Sequence, residues 1–123
     1  MGIQEDLDAL RQSVPGCDVV AFADIGTNLV LVASSEGSPR RELLDQLCGA
    51  AVGHFGKNAV ADLDVPDIAL DAEANGPVRI FMRDRSEPSD AICAICKPDV
   101  DIEAYLSNAR DLLDRSNESE SEE

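Results

Sequence analysis

The residues best equipped for chemistry are four cysteines, one histidine and a pair of arginines: Cys17, Cys48, Cys93, Cys96, His54, Arg40 and Arg41. The sharpest spacing is Cys93-Ala94-Ile95-Cys96, the separation used by thioredoxin-type redox pairs. Such a pair needs its first thiol at a helix N-terminus, where the dipole lowers the thiol pKa. Here it falls inside the apolar run Asp90–Cys96, DAICAIC, which reads as a strand. Residues three apart on a strand point to opposite faces, so these two sulfurs cannot meet in disulfide geometry. The pair reads as two small core residues. A structural zinc site takes two close ligand pairs. This chain has one, with Cys17, Cys48 and His54 elsewhere. No metal and no other cofactor is expected, and the cysteines read as free thiols, because their spacing is not that of a secreted staple framework.

His54 falls near the end of a helical segment, where a cation suits the dipole. Catalysis would require a nucleophile and an orienting acid beside it. No Gly-x-Ser-x-Gly, P-loop or Gly-x-Gly-x-x-Gly occurs. No catalytic residue is therefore expected, and the chain reads as a non-enzyme. Arg40 and Arg41 open the longest helical segment, the end at which the dipole favours acids. They fit either a partner contact or a solvated turn.

The elements that would position these residues follow from periodicity. Ile3, Leu7, Leu10 and Val14 recur at helical spacing, with acids near the start and Pro15-Gly16 as a stop. Two apolar runs follow, DVVAFA at 18–23 and LVLVAS at 29–34, with turn formers between them. That predicts a hairpin with a loop longer than two residues, and at least the first strand covered on both faces. Ser38 and Pro39 suit the start of a second helix. Leu43, Leu44, Leu47, Cys48, Ala51, Val52 and Phe55 give it a continuous apolar stripe, which Gly56 closes. Ala50, Ala51 and Gly53 would permit close helix contact. Residues 56–66 read as a connector.

DIALDA at 67–72 alternates cleanly and so predicts an edge strand. Asn75-Gly76 is a turn signal ahead of a strand at 78–83, and 85–89 a second polar turn. DAICAIC at 90–96 is apolar on both faces, which places it at the sheet centre beside DVVAFA. Asp101 is a plausible cap for a last helix carrying Ile102, Tyr105, Leu106, Ala109, Leu112 and Leu113. Residues 116–123, rich in Ser and Glu, read as a disordered acidic tail beyond a single domain at 1–115. The order helix, two strands, helix, three strands, helix predicts an α/β (α+β) three-layer sandwich around a mainly antiparallel five-stranded sheet.

The chain has 123 residues, the size of one domain with one modest core. With no Trp, one Tyr and three Phe, that core must come from aliphatic residues. Twenty-five acids against ten bases leave a net charge of −15. Such a field repels a phosphate backbone and anionic membrane surfaces, so neither nucleic acid nor membrane is an expected partner. No run approaches the roughly 20 apolar residues of a membrane span, and the N-terminus lacks a signal-peptide pattern. The expected compartment is the cytoplasm.

In sequence order these features resemble the Roadblock/dynein light chain domain family. The resemblance rests on Val14-Pro15-Gly16, the strand Val19–Ala23, the Asp24-Ile25-Gly26 turn and the strand Leu29–Ala33. The long helix Glu42–Phe55, the strands around Asn75-Gly76, the strand Ala91–Cys96 and a final helix complete it, over about residues 3–115. Thr27-Asn28 after the turn and the apolar Ile25 within it depart from the family pattern. Profilin-like and longin-like folds share much of the layout.

The resemblance implies strand order 2-1-5-4-3 and a homodimer that pairs third strands and packs second helices. Ile68, Ala69, Leu70 and Asp71 would then form the strand seam, and Leu44, Leu47, Cys48 and Ala51 the helix contacts. Cys48 fits either an interface or a core. The function implied is a scaffold or regulator of a small Ras-like GTPase. Two other readings are a GTPase-independent adaptor subunit, whose acidic field would select a basic partner surface, and a small-ligand sensor or thiol enzyme.

Overall fold

The computed structural model describes residues 2–37, 40–55, 67–72, 76–84, 87 and 89–121, with side chains as far as Arg115. Eight elements follow one another: α1 (Ile3–Ser13), β1 (Cys17–Asp24), β2 (Leu29–Ser35), α2 (Arg41–Phe55), β3 (Ile68–Ala72), β4 (Val78–Arg83), β5 (Asp90–Cys96) and α3 (Ile102–Ser121). All four strand pairings are antiparallel, and the order across the sheet is β2-β1-β5-β4-β3. The two runs that are apolar on both faces, β1 and β5, lie at the centre, and the alternating run β3 lies at an edge. The expected layout is therefore the observed one.

Local chemistry explains the turns. Asp24 Oδ1 accepts from the amides of Gly26 (2.9 Å) and Thr27 (3.4 Å), and Asn28 takes the positive φ that ends the loop. Gly16 holds a φ of +89°, a conformation glycine adopts without strain, to turn α1 into β1. Asp101 caps α3 as expected, with its Oδ1 accepting from the amide of Ala104 at 3.1 Å. The carbonyl of Arg40 accepts the first turn of α2. Ser38, Pro39, Gly56, the 56–66 connector, Asn75, and Arg85, Ser86 and Pro88 of the second polar turn lie outside the described residues. The backbone of α3 continues as helix to Ser121, across residues 116–121 of the 116–123 segment whose composition argues for disorder.

The sheet has a distinct core on each face. On one face α1, the Val14 that follows it, and α3 contribute Leu7, Leu10, Val14, Tyr105, Ala109, Leu112 and Leu113, packed on Val20, Ile80, Met82, Ile92, Ala94 and Cys96. On the other face, among the described residues, α2 contributes Leu47, Cys48, Ala51 and Phe55, packed on Ala21, Ala23, Phe81, Ala91 and Cys93. Each fully buried large aliphatic side chain stabilises the fold by roughly 1.5–3 kcal/mol.

The first strand is covered on both sides as its composition requires. The second is not, for all its apolar content: Leu29 is 43% exposed and Leu31 51%. The register explains Leu31. Phe22 pairs with Val32 and Ala23 with Val30, so Leu31 is the extra residue of a bulge at the sheet edge.

Candidate interaction surface

Strand β3 has β4 on one side and, among the described residues, no strand on the other. Its alternation divides its side chains between the two faces of the sheet. Ile68 packs toward the α1/α3 core and Ala69 toward the α2 core. Leu70 follows Ile68 but is 48% exposed, an apolar side chain on an open edge. Asp71 follows Ala69 and faces α2. There its Oδ2 accepts from the Arg79 guanidinium at 2.9 Å and lies 3.0 Å from His54 Nε2. His54 also tilts against the Phe81 ring, with centroids 5.1 Å apart. The hydrogen bond with His54, above all, holds the Asp71 carboxyl below the usual carboxylate range, with Arg79 adding to it.

A second tie lies one turn of chain away. The Arg83 guanidinium is buried, meets Asp67 Oδ1 at 3.1 Å and sits 5.4 Å from the centre of the Phe55 ring. The Arg83 amide also donates to the Asp67 carbonyl at 2.7 Å. The C-terminal half of α2 and the edge strand are thus fastened to each other through charged groups on β3 and β4. At the other end of α2, Leu43 overhangs a cleft of about 410 Å³ shared with Asp71, Ala72, Pro77, Arg79 and Ile95.

The outward face of α2 carries Glu42, Asp45, Gln46, Gly49 and Gly53, all exposed. No atom would lie within 4 Å of a Cβ added to Gly49 or Gly53. This face is therefore flat, backbone-rich and open. Arg41 meets Asp45 at 3.6 Å with both side chains largely in solvent, and Arg40 is exposed beside them.

Leu47, Cys48 and Ala51 are 1%, 1% and 0% exposed, against the chain's own sheet, and Leu44 is half-buried there. Cys48 is therefore a core residue, and burial raises its thiol pKa. Ile68, Ala69, Leu70 and Asp71 do line the open edge. Cys93 and Cys96 point into opposite cores, as strand geometry demands. Among the described residues no three His, Cys, Asp or Glu side chains converge on a possible metal position. No described helix is long and apolar enough to cross a membrane.

No family model matches the sequence, and no curated protein does. Solved structures do match. A Roadblock/LC7 domain from Streptomyces avermitilis superimposes with a TM-score of 0.76 over 97% of this chain and 98% of that one, at 10% identity. Myxococcus xanthus MglB does so with a TM-score of 0.74 over 98% and 96%, also at 10% identity. A gliding protein, MglB from Thermus thermophilus, gives 0.68 over 92% and 87%, at 11%. This chain has the Roadblock/LC7 fold.

Two features of this chain, beyond its Roadblock/LC7 fold, were not legible in its sequence. One is the His54–Asp71–Arg79 cluster, since nothing in helix periodicity aims His54 at Asp71. The other is the buried neighbourhood of Cys17 and Cys96, set by the register of β1 on β5. Alternation in DIALDA does predict that Asp71 shares a face with Ala69, the one signal that pointed toward the first.

Proposed function

We propose that this chain is a non-enzymatic homodimeric scaffold that docks a small Ras-like GTPase. The observation that carries the reading is the open β3 edge, with the exposed Leu70, tied through Asp71 to the C-terminal half of α2. An unpaired apolar edge is a liability that pairing with a second copy removes, and a two-fold seam is the commonest oligomer symmetry. The edge would supply the strand seam and the outward face of α2 the helix contact. There Gly49 and Gly53 allow two helices to approach closely. Leu47, Cys48 and Ala51, turned to the sheet, would support that contact from beneath.

The GTPase assignment rests on the Roadblock resemblance. The tetrameric arrangement named for one MglB structure, which matches with a TM-score of 0.66 at 7% identity, is in keeping with assembly through this fold. Any effect on GTP hydrolysis would come from positioning the partner's own groups.

Two measurements test the reading. Sedimentation should give a dimer, and Leu70→Lys, which places a charge on the edge, should shift it to monomer without unfolding it. A wild-type chain that sediments as a monomer at micromolar concentration removes the seam. The immobilised protein should capture a Ras-like GTPase from its native lysate, preferentially in either the GDP or the non-hydrolysable GTP-analogue sample. Equal capture of other proteins in both samples would leave a GTPase-independent adaptor.

A further inference from the structure

We propose that Cys17 and Cys96 form a cross-strand dithiol that closes to an intramolecular disulfide when a peroxide reaches it. The two residues are partners at the end of the β1–β5 ladder, set off from Val19–Ile95 by a bulge at Asp18. The Lys97 amide donates to the Gly16 carbonyl at 2.8 Å, which is the bond that flanks the pair. Cys17 and Cys96 therefore occupy a non-hydrogen-bonded position, where facing Cα atoms approach to about 4.5 Å and side chains are closest. That separation lies within the range disulfides span. Both side chains enter the same core under α1 and α3, so they share a face, unlike Cys93 and Cys96. Both are free thiols.

The surroundings divide their roles. Cys96 is fully buried, whereas Cys17 retains 7% exposure at the rim of the sheet. A hydrogen bond with Cys96 is the largest influence on Cys17 and lowers its pKa, while Cys96 is raised. Cys17 is thus the thiol that peroxide meets first.

Its thiolate attacks one peroxide oxygen. The O–O bond breaks, one water leaves with the thiol proton, and Cys17 becomes a sulfenic acid. The Cys96 sulfur then attacks that sulfur. The S–S bond forms, the S–O bond breaks, and a second water leaves with the Cys96 proton. Two thiols and one hydrogen peroxide give one disulfide and two waters. The bond would staple the turn that enters β1 to the segment that leaves β5.

The test is to oxidise the folded wild-type protein with hydrogen peroxide, block remaining thiols by alkylation, and map the peptides without reduction. The expected product is a Cys17–Cys96 linked peptide, with Cys48 and Cys93 recovered as alkylated thiols. It should be reversed by dithiothreitol and form unchanged in Cys48→Ala/Cys93→Ala. The oxidised protein should melt higher by on the order of 10 °C, because the bond closes a loop of most of the chain. A Cys48–Cys93 or intermolecular bond, a sulfinic Cys17 with Cys96 still free, or linkage only after denaturant is added would overturn the proposal. So would a linked product that melts lower than the reduced protein.

Discussion

The two faces of the sheet are built on different plans. Under α1 and α3 the core is deep and made of large side chains, including Tyr105, Ile80, Met82, Leu112 and Leu113, each 2% exposed or less. Under α2 it is shallow. Four of its ten fully covered members are alanines, and one helix provides the roof. The first face carries most of the large, fully buried side chains. Among the described residues, the second leaves α2 with an exposed outward side next to a strand edge that no other strand pairs. Stability is concentrated where two helices cover the sheet, and surface is offered where one does.

The largest expected effect follows directly. Leu112→Ala should cost about 3–4 kcal/mol by urea denaturation, because a cavity between two helices and a sheet cannot collapse easily. Leu47→Ala, equally buried but under the single helix, should cost about 2–3 kcal/mol, because α2 is free to settle into the space. Equal losses, or a larger one for Leu47→Ala, would erase the contrast between the faces.

Tyr105→Phe comes next, with the opposite sign. The Tyr105 hydroxyl is fully buried and has no hydrogen-bond partner among the described residues. Burial among apolar groups and the neighbouring thiols pushes its pKa well up, so it remains a neutral phenol. Removing an unpartnered buried hydroxyl should raise stability by about 1 kcal/mol. A loss on substitution would mean that the hydroxyl is satisfied and that the deep core is less purely apolar than it looks.

Much of this architecture was readable from alternation and its absence. DVVAFA and DAICAIC had to be central and DIALDA an edge, which agrees with the strand order that the Roadblock resemblance implies. What periodicity could not supply was which side of an amphipathic helix meets its own sheet and which is left facing outward. The stripe Leu44–Leu47–Cys48–Ala51 carries one apolar pattern for both possibilities, and only packing against Cys93 and Phe81 assigns it. Leu31 defeats composition in the same way, because its exposure is set by a bulge in the β1–β2 register. Cys17 and Cys96 are brought together by register alone, a long-range property with no local signature.

Asp71 gives a smaller and pH-dependent effect. Its folded pKa lies below that of the unfolded chain, so its contribution is fully present above the ordinary aspartate range. The contribution is lost as pH falls through the depressed folded value. With the side chain 34% exposed, solvent screening limits it to about 0.5–1 kcal/mol. Asp71→Asn should therefore be less stable than wild type by that amount at pH 7. The two should converge as the pH is lowered toward 2, measured as the difference between paired urea titrations. A difference that stays constant with pH would assign the effect to hydrogen-bond geometry in place of charge.

Gly49→Ala carries the smallest change in stability and the most direct reading of what the α2 face is for. Glycine inside a helix costs conformational entropy, and nothing lies within 4 Å of where its Cβ would stand. In the isolated chain the substitution should stabilise by about 0.5 kcal/mol. If α2 packs closely on a second α2, the added methyl stands in that contact and weakens the dimer. The same variant should then show a higher unfolding midpoint when dilute and a higher dissociation constant by sedimentation. A gain in stability with unchanged association would mean that the outward face is merely solvated. A loss in the dilute chain would mean that α2 already has a neighbour within this chain.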